Sequence, residues 1–478
     1  MLRYLGLSCF RCRPSIVALR WIHHATILLE SHVLHDSPPA ATDGPAGSVL
    51  LNRYGIRMDE SFVADPNTVA YCRTYTGKHL CVSFKHAPPP ASSFFFYDFP
   101  DSVPGLEEED AHDDCEDDSE GEESEEEEVD VDKLDIIVVA SHGDAALLKM
   151  THRSCSYFEA LLYRVGSATS PATMSLLPDR DFLTKTEQNY ISPEIRYIVH
   201  SGTIGLLRRG DDDVMLVEPD LMYDRDAQRY MAEFCLLRHG MSQWELKEPV
   251  HIIQDEGGQG IEQLHPRSSR NIIIPLGDRF LCWVNFESGF LLCDMADEES
   301  PKVRYVPLPP VVCWDPKGYE RDMSIKHSMN MGAAGPSAVR FVSIDPRCCC
   351  GGTGKSTCAH SRYAFTINTW LMNISIEEPL TWVKDGEIDC EEIWRLPGYE
   401  GLPQANPMCP VVCLDNSNVV CLLVSNYALV SSYEDRKLWM IQLNIKTKLL
   451  SVVPYNDDRW GAYDHLPVSL HSSLANTG

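Results

Sequence analysis

Short apolar runs, mostly grouped in fours and repeated along the chain, predict an all-β, β-propeller-like fold with about six degenerate four-stranded blades and a disordered acidic insertion. Three observations carry this. The runs are rich in Val, Ile, Leu, Phe and Tyr and are bounded by Gly, Asp, Asn and Pro, the pattern of strands and turns. The groups recur about every 45–60 residues, a blade-sized period. Several groups also close alike, on an apolar run ending in proline: "MSLLPD", "VRYVPLPP" and "LSVVPY". A stacked pair of β-sandwich domains gives a similar grouping, but each group has too few strands for a sandwich of its own.

In chain order, residues 1–47 read as an extension and linker ending in "DSPPAATDGPAG", and the β-rich domain occupies 48–470. The first group is "SVLLNRYG", "NTVAYCRTYTG", "HLCVSFKHA" and "SFFFYDFP", and the acidic insertion, 106–133, follows it. The second is "KLDIIVVASHG", "AALLKMTH", "YFEALLYRVG" and "ATMSLLPD". The third runs from "RYIVHSGTIGLLRRG" through "DVMLVEPD" and "AEFCLLRHG" to "QWELKEPVHI". The fourth is "RNIIIPLGD", "RFLCWVNFESG", "FLLCDMA" and "KVRYVPLPP". The fifth shows three runs, "AVRFVSID", "RYAFTINTWLMNI" and "LTWVKDGEID". The sixth is "PVVCLDNSN", "VVCLLVSNYALVSSYED", "RKLWMIQLNI" and "KLLSVVPY". Within "RFLCWVNF", Phe280, Cys282, Val284 and Phe286 share one face and Leu281 and Trp283 the other. Apolar groups on both faces predict a strand sandwiched between neighbours.

Charge narrows the function classes. The net charge of −29 is local: residues 107–132 hold 18 acidic side chains and no Lys or Arg, and without them the charge is −11. Such a block repels itself and buries nothing, so it is expected to be solvated and disordered. Ser119 precedes "EGE" and Ser124 precedes "EEE", the setting an acidophilic kinase reads. The mildly acidic remainder argues against nucleic-acid binding, which needs clustered Lys and Arg. No apolar run approaches the ~18 residues of a membrane span.

The 18 cysteines do not read as a disulfide scaffold, because the chain is long and Arg11, Arg13 and Arg20 interrupt any signal-peptide core. Cys282, Cys293, Cys413 and Cys421 lie in strand-like runs, where a thiol acts as a small hydrophobe. An intracellular location, cytoplasm or nucleus, is the expectation. The first 29 residues contain four arginines and no acidic residue, so a transit peptide to mitochondrion or plastid is the alternative.

"DPRCCCGGTGKSTCAH" offers the strongest apparent motif. Gly354, Lys355 and Ser356 match the end of G-x-x-x-x-G-K-[ST], but position 349, where the first glycine belongs, is Cys349. A phosphate loop also needs a helix after it, whereas "RYAFTINTWLMNI" alternates as a strand. The segment therefore reads as a hairpin connection, and no nucleotide or other cofactor is expected. Cys348, Cys350, Cys358 and His360 are the candidate zinc ligands there. Three consecutive cysteines point different ways along an extended chain, so at most two converge, and an unliganded loop is the reading.

No catalytic set emerges, because G-x-S-x-G, H-E-x-x-H, H-R-D and D-F-G are all missing. His142 with nearby Asp144 in "VASHGDAAL" is the one candidate base, although a strand-end His beside Gly-Asp belongs first to its turn. Trp244, Trp283, Trp370, Trp382, Trp394 and Trp439 sit in or beside strands and read as core rather than a ligand cage.

"IPLGDRFLCWVNFESGFLLCDMADEESPKVRYVPLPP", Ile274–Pro310, resembles a plant family expanded in grasses, domain of unknown function sixteen-eighteen. The resemblance extends to "SVLLNRYGIRMDESFVADPNTVAY", "GPSAVRFVSIDPRCCCGGTGKSTC" and "PVVCLDNSNVVCLLVSNY", so it covers most of 48–465, with a signature segment about 277–415. It implies a plant source and supplies no activity, catalytic residue or cofactor. "RFLCWVNFESGFLLCDMA" with "RYVPLPP" is also similar to F-box-associated β-domains, which recruit a partner; the first 50 residues lack the leucine-proline pattern of an F-box itself. The expectation is a non-enzymatic protein-interaction module for an unidentified protein partner, with loops on a rigid scaffold making the contacts. The alternative is an enzyme whose site is assembled from separated loops. Converging His, Asp or Glu at the channel mouth marks the enzyme, and an apolar loop face marks the module.

Overall fold

The computed structural model describes residues 49–103, 130–152, 158–167, 170–189, 204–210, 213–254, 260–264, 271–310, 327–348, 363–427, 429–432, 435–455 and 465–468. They lie within one compact unit, Pro45–Gly478, while Met1–Gly44 falls outside them.

The first sheet contains β1 (Val49–Asn52), β2 (Ile56–Arg57), β3 (Val69–Arg73), β4 (His79–Lys85) and β5 (Ser92–Asp98). Its order is β26-β1-β5-β4-β3, with β2 also on β5 and β26 (His465–Val468) arriving from the far end of the chain. The second is the meander β6 (Leu134–His142), β7 (Ala145–His152), β8 (Phe158–Arg164) and β9 (Thr173–Leu176). The third meander is β10 (Gly205–Arg209), β11 (Asp213–Asp224), β12 (Arg229–Arg238) and β13 (Glu245–Ile253). The fourth is β14 (Ile272–Leu276), β15 (Phe280–Asn285), β16 (Gly289–Asp294) and β17 (Lys302–Pro307). A short parallel pairing, Ile252↔Val303 and Ile253↔Arg304, joins these two into one eight-stranded sheet. Two four-stranded meanders complete the set: β18 (Met329–Ala333), β19 (Ala338–Pro346), β20 (Phe365–Asn373) and β21 (Val383–Asp389), then β22 (Met408–Val412), β23 (Val419–Ser425), β24 (Leu438–Asn444) and β25 (Leu450–Tyr455).

The predicted runs fall on these strands, with three additions, of which the two-residue β2 lies just beyond "SVLLNRYG" and pairs with β5. The fifth group gains β18, "MNMGA", whose Gly332 and two methionines give a weak strand signal. β26, "HLPV", is too short to read alone and exists through its antiparallel pairing with β1, Val49↔Val468 to Asn52↔His465. One turn of α-helix, Cys390–Ile393, follows β21 and is capped by Asp389, whose carboxylate accepts from Glu391 N at 2.8 Å.

Packing shows how the sheets are placed. The opening strands touch in series: β6 with β10, β10 with β14, β14 with β18, β18 with β22, and β22 with β26. Backbone bonds from Gly55 N to Ile136 O and from Val138 N to Arg53 O, each 2.8 Å, tie the chain after β1 back to β6. The apolar clusters among the described residues follow the same circuit. One lies between the first sheet and the β6–β9 sheet, the next between β6–β8 and β10–β12, then between the third and fourth meanders, and so on until Leu50 of β1 meets the β22–β25 sheet. Each sheet thus has a core on both faces, the β-propeller-like arrangement rather than two stacked sandwiches. The pattern explains β15, buried at every residue. Leu281 and Trp283 enter the cluster toward the third meander, and Phe280, Cys282 and Val284 the cluster toward the fifth. β13 pairs with β12 along its length and with β17 only at Ile252 and Ile253, and much of "ELKEPVHII" is exposed.

Between the first two sheets the apolar packing is supplemented by a buried carboxylate. Glu159 on β8 is 2% exposed and accepts a bond from Tyr75 N at 3.0 Å, while the Tyr75 hydroxyl donates to Leu177 O at 2.9 Å. Burial pushes Glu159 up to about 7; its backbone bonds to Tyr75 and Thr76 oppose this, and Asp179 adds to it. Because the folded value lies above the unfolded one, the associated stability is full below the ordinary glutamate range and is lost as pH rises through about 7. The expected loss between pH 5 and 8 is about 2–3 kcal/mol. Glu159→Gln should lack that component, so thermal melts of the two proteins should diverge with rising pH. Parallel pH profiles would remove Glu159 as their origin.

Candidate functional site at the axial mouth

The opening strands converge on a cavity of about 300 Å³. It is lined by the end of β6 (Ala140–His142), by β14 and its turn (Ile272–Pro275, Gly277), by β18 and its turn (Met331, Ala333, Gly335, Pro336) and by Leu414 and Asp415 after β22. The turns leaving β6 and β14 reverse through Gly143 at φ 63° and Gly277 at φ 55°. At Gly277 the left-handed backbone is combined with close approach: a Cβ there would lie 3.2 Å from Pro336 Cβ. The Gly277 turn thus seats β14 against the Pro336 turn of β18, while Gly143 lies against Arg208 of β10.

His142, the candidate base, does line this cavity, but its partners give it a different part. Its Nδ1 accepts a hydrogen bond from Arg208 N at 2.9 Å, the first link between the second and third sheets. Burial lowers His142 to about 4, and the Arg208 guanidinium adds to this against a smaller opposing effect of Asp278. At neutral pH the ring is uncharged with Nδ1 accepting, so Nε2 carries the proton and acts as a donor. Asp144 is not its orienting partner. It binds Arg164 Nη2 at 2.9 Å and Arg208 Nε at 2.6 Å, and those two cations hold its carboxyl below the usual range despite burial. The pair expected from "SHGD" is therefore an inter-sheet clamp with a hydrogen-bond donor at the mouth. Arg209 extends the clamp, bonding Asp278 O at 3.1 Å and pairing with Glu298 on the fourth meander.

The other sequence candidates are placed as follows. β19 and β20 pair without a shift from Ala338↔Asn373 to Pro346↔Phe365, so the apparent phosphate loop connects an antiparallel hairpin. Lys355 itself lies outside the described residues, as do Cys350, Cys358 and His360; Cys348 is half-buried. Among the described residues no group of three or more His, Cys, Asp or Glu could hold a metal ion. Ser119 and Ser124 also lie outside them, and the chain is described again from Asp130, where Val131–Lys133 forms a 3-10 turn capped by Asp130. Trp244, Trp283 and Trp370 are core residues, while Trp382 and Trp394 pack on cores at their margins. Trp439 is half-buried and outside the core clusters, so the core expectation is too broad for it.

Two features escaped sequence reading. One is a buried ionic cluster at Arg180, Glu187 and Glu218; its members are spread over 39 positions, and no local pattern pairs them. The other is the contact between Cys413 and Cys421, 3.4 Å between sulfurs. Both cysteines are legible as buried residues, but their proximity depends on the register of β22 against β23.

Among solved structures, the chain is similar to the WD40 domain of SCAP from fission yeast, at 9% identity and a TM-score of 0.26, over 67% of this chain and 66% of that one. It is also similar to the periplasmic gluconolactonase PpgL of Pseudomonas aeruginosa, at 10% identity and a TM-score of 0.24, over 70% and 85%. The endosialidase of phage phi92 matches at 8% identity and a TM-score of 0.26, over 83% of this chain and 57% of that one. The chain thus spans just under two thirds of the SCAP domain, and similarity at these scores carries no functional weight. No curated protein matches it. Among the described residues no helix is long and apolar enough to cross a membrane. Residues 283–421, from Trp283 in β15 to Cys421 in β23, match the family model described as protein of unknown function, DUF1618.

Proposed function

We propose that the chain is a six-bladed, β-propeller-like protein-interaction module that receives a partner at the axial mouth. The observation that carries this reading is the lining. Ile272, Ile274, Pro275, Met331, Pro336 and Leu414 supply an apolar wall, and His142 and Asp415 are the titratable side chains described there. His142 is held as a neutral donor, which suits recognition of a carbonyl and not proton abstraction. An apolar patch with a few placed polar groups on a rigid scaffold is the usual form of a recognition surface. The resemblance to F-box-associated β-domains supports the same reading, and among the described lining residues His142 and Asp415 are not joined by the further carboxylates and imidazoles that the enzyme alternative calls for.

The test uses the full chain as bait, comparing wild type with Pro336→Asp and Leu414→Arg. Pro336 is exposed and Leu414 half-buried, so melting temperatures should change little. Proteins captured through the mouth should fall by on the order of tenfold on both variants. Undiminished capture on both would sink the proposal.

The acidic insertion is proposed to modulate these contacts, with Ser119 and Ser124 as phosphorylation sites that each add about −1.5 to −2 charges. β5 ends at Asp98 and β6 begins at Leu134. Deleting 107–132 removes the Arg57–Asp132 pair, 2.7 Å long with Asp132 80% exposed, and such a pair contributes little. The deletion variant should keep the cooperative melt and far-ultraviolet dichroism of the β domain. Aggregation or loss of cooperativity would make the segment part of the fold.

A further inference from the structure

We propose that Cys413 and Cys421 form a reversible dithiol–disulfide pair, closed by a small hydroperoxide, beside the axial mouth. The geometry is set by the hairpin of β22 and β23. Val411 pairs with Cys421 and Val412 with Val420, and Cys413 N continues the ladder by donating to Val419 O at 3.0 Å. Cys413 and Cys421 are thus diagonal neighbours on one face, and both enter the apolar cluster against Leu423, Met440 and Tyr455. Their sulfurs are 3.4 Å apart, a thiol–thiol hydrogen bond and within a side-chain rotation of the roughly 2 Å of a disulfide.

The two thiols have unequal roles. The Cys421 S–H stabilises a thiolate on Cys413, which draws Cys413 below the ordinary thiol range and raises Cys421 well above it. Burial raises core thiols elsewhere in the molecule, with Cys72 and Cys235 pushed up to about 12. Cys413 is therefore the sulfur prepared to react, since the thiolate is the nucleophile. At 7% exposure it admits only a small oxidant, which is why a hydroperoxide is named.

The chemistry balances in two steps. The Cys413 thiolate attacks the O–O bond of hydrogen peroxide, gaining an S–OH group and releasing hydroxide, which takes up the thiol's proton as water. Cys421 sulfur then attacks Cys413 sulfur; the S–OH bond breaks, and the departing hydroxide leaves as water with the Cys421 proton. Two thiols lose two electrons and two protons, and one peroxide becomes two waters. The product links the ends of a segment that contains Leu414 and Asp415 of the mouth, so oxidation restrains one wall of the cavity.

The experiment treats the full chain with hydrogen peroxide, alkylates it under denaturing conditions and maps its peptides by mass spectrometry. The expected result is a cross-linked peptide joining Cys413 to Cys421, lighter by two hydrogens and restored to two thiols by dithiothreitol. In Cys421→Ser, a sulfenic-acid trap should label Cys413; in Cys413→Ser it should leave Cys421 unlabelled. Full alkylation of both residues in oxidised wild type, or sulfinic acid on Cys413 without a cross-link, would overturn the proposal. Because the readout is covalent, it does not depend on any partner at the mouth.

Discussion

Replacing Trp283 by alanine is expected to destabilise the chain by about 3–5 kcal/mol, the range for deleting a fully buried aromatic side chain. Trp283 has no exposed surface and sits in the middle of β15, paired with Ile273 on one side and Leu291 on the other. Its ring also determines how near the third meander comes. A Cβ added at Gly205, in the first strand of that meander, would lie 3.0 Å from Trp283 Cζ2 and 3.2 Å from Leu281 Cδ1. Glycine at 205 and tryptophan at 283 are thus complementary halves of one contact, and the cavity left by alanine cannot be refilled from Gly205. Urea unfolding should show a large fall in midpoint with an unchanged slope, which separates lost stability from a changed denatured state. Trp439→Ala is the comparison, since that side chain is half-buried and outside the cores, and its cost should be clearly smaller. Equal midpoints for Trp283→Ala and wild type would remove the argument that β15 is clamped between two cores.

Trp283 also shows why much of the architecture was legible. Strands buried on both faces must be apolar at consecutive positions, and strands of this type separated by Gly-Asp or Asn-Ser turns can be read one by one. What failed to register were elements whose evidence is not local. β26 depends on β1, more than 400 positions away, and β18 has too much Gly and Met to announce a strand. For the site, "SHGD" drew attention to His142, and the structure does put it at the mouth. Its role could not be read, because Arg208 and Arg164, which fix the protonation of His142 and the engagement of Asp144, come from other strands. The lining itself was invisible as a group: its members come from four separate strand ends, and each reads singly as an ordinary turn or strand residue.

The Arg180 cluster is the other place where a single substitution should be severe. The residues after β9 are held to β11 and β12 by carboxylates on those strands and braced internally by Glu187. Thr184 Oγ1 donates to Asp220, Lys185 N donates to Glu233 at 2.9 Å, and Thr184 N donates to Glu187 at 2.7 Å. Arg180 is the buried cation within this group. It pairs with Glu187, lies 4.0 Å from Glu218, approaches Cys235 Sγ at 3.2 Å and stacks over Phe182 at 5.5 Å. Burial alone would favour loss of its proton, but Glu187 and Glu218 outweigh that and raise it above the usual arginine range. Arg180→Met keeps much of the volume and removes the charge, stranding carboxylates that are almost fully buried. Breaking such a pair from one side costs about 3–5 kcal/mol, more than the intact pair contributes against an apolar replacement. The sign of the pH dependence follows. Stranded carboxylates have folded values raised above their unfolded ones, so the variant holds its stability at low pH and loses it as pH rises through those values. The gap to wild type should therefore be small near pH 5 and wide at pH 8. Arg180→Met combined with Glu218→Gln should recover part of the loss, because one of the stranded charges is then absent. A variant within about 1 kcal/mol of wild type at pH 8 would mean that Arg180 does not hold this segment to the sheet, since 1 kcal/mol is what an exposed pair contributes at most.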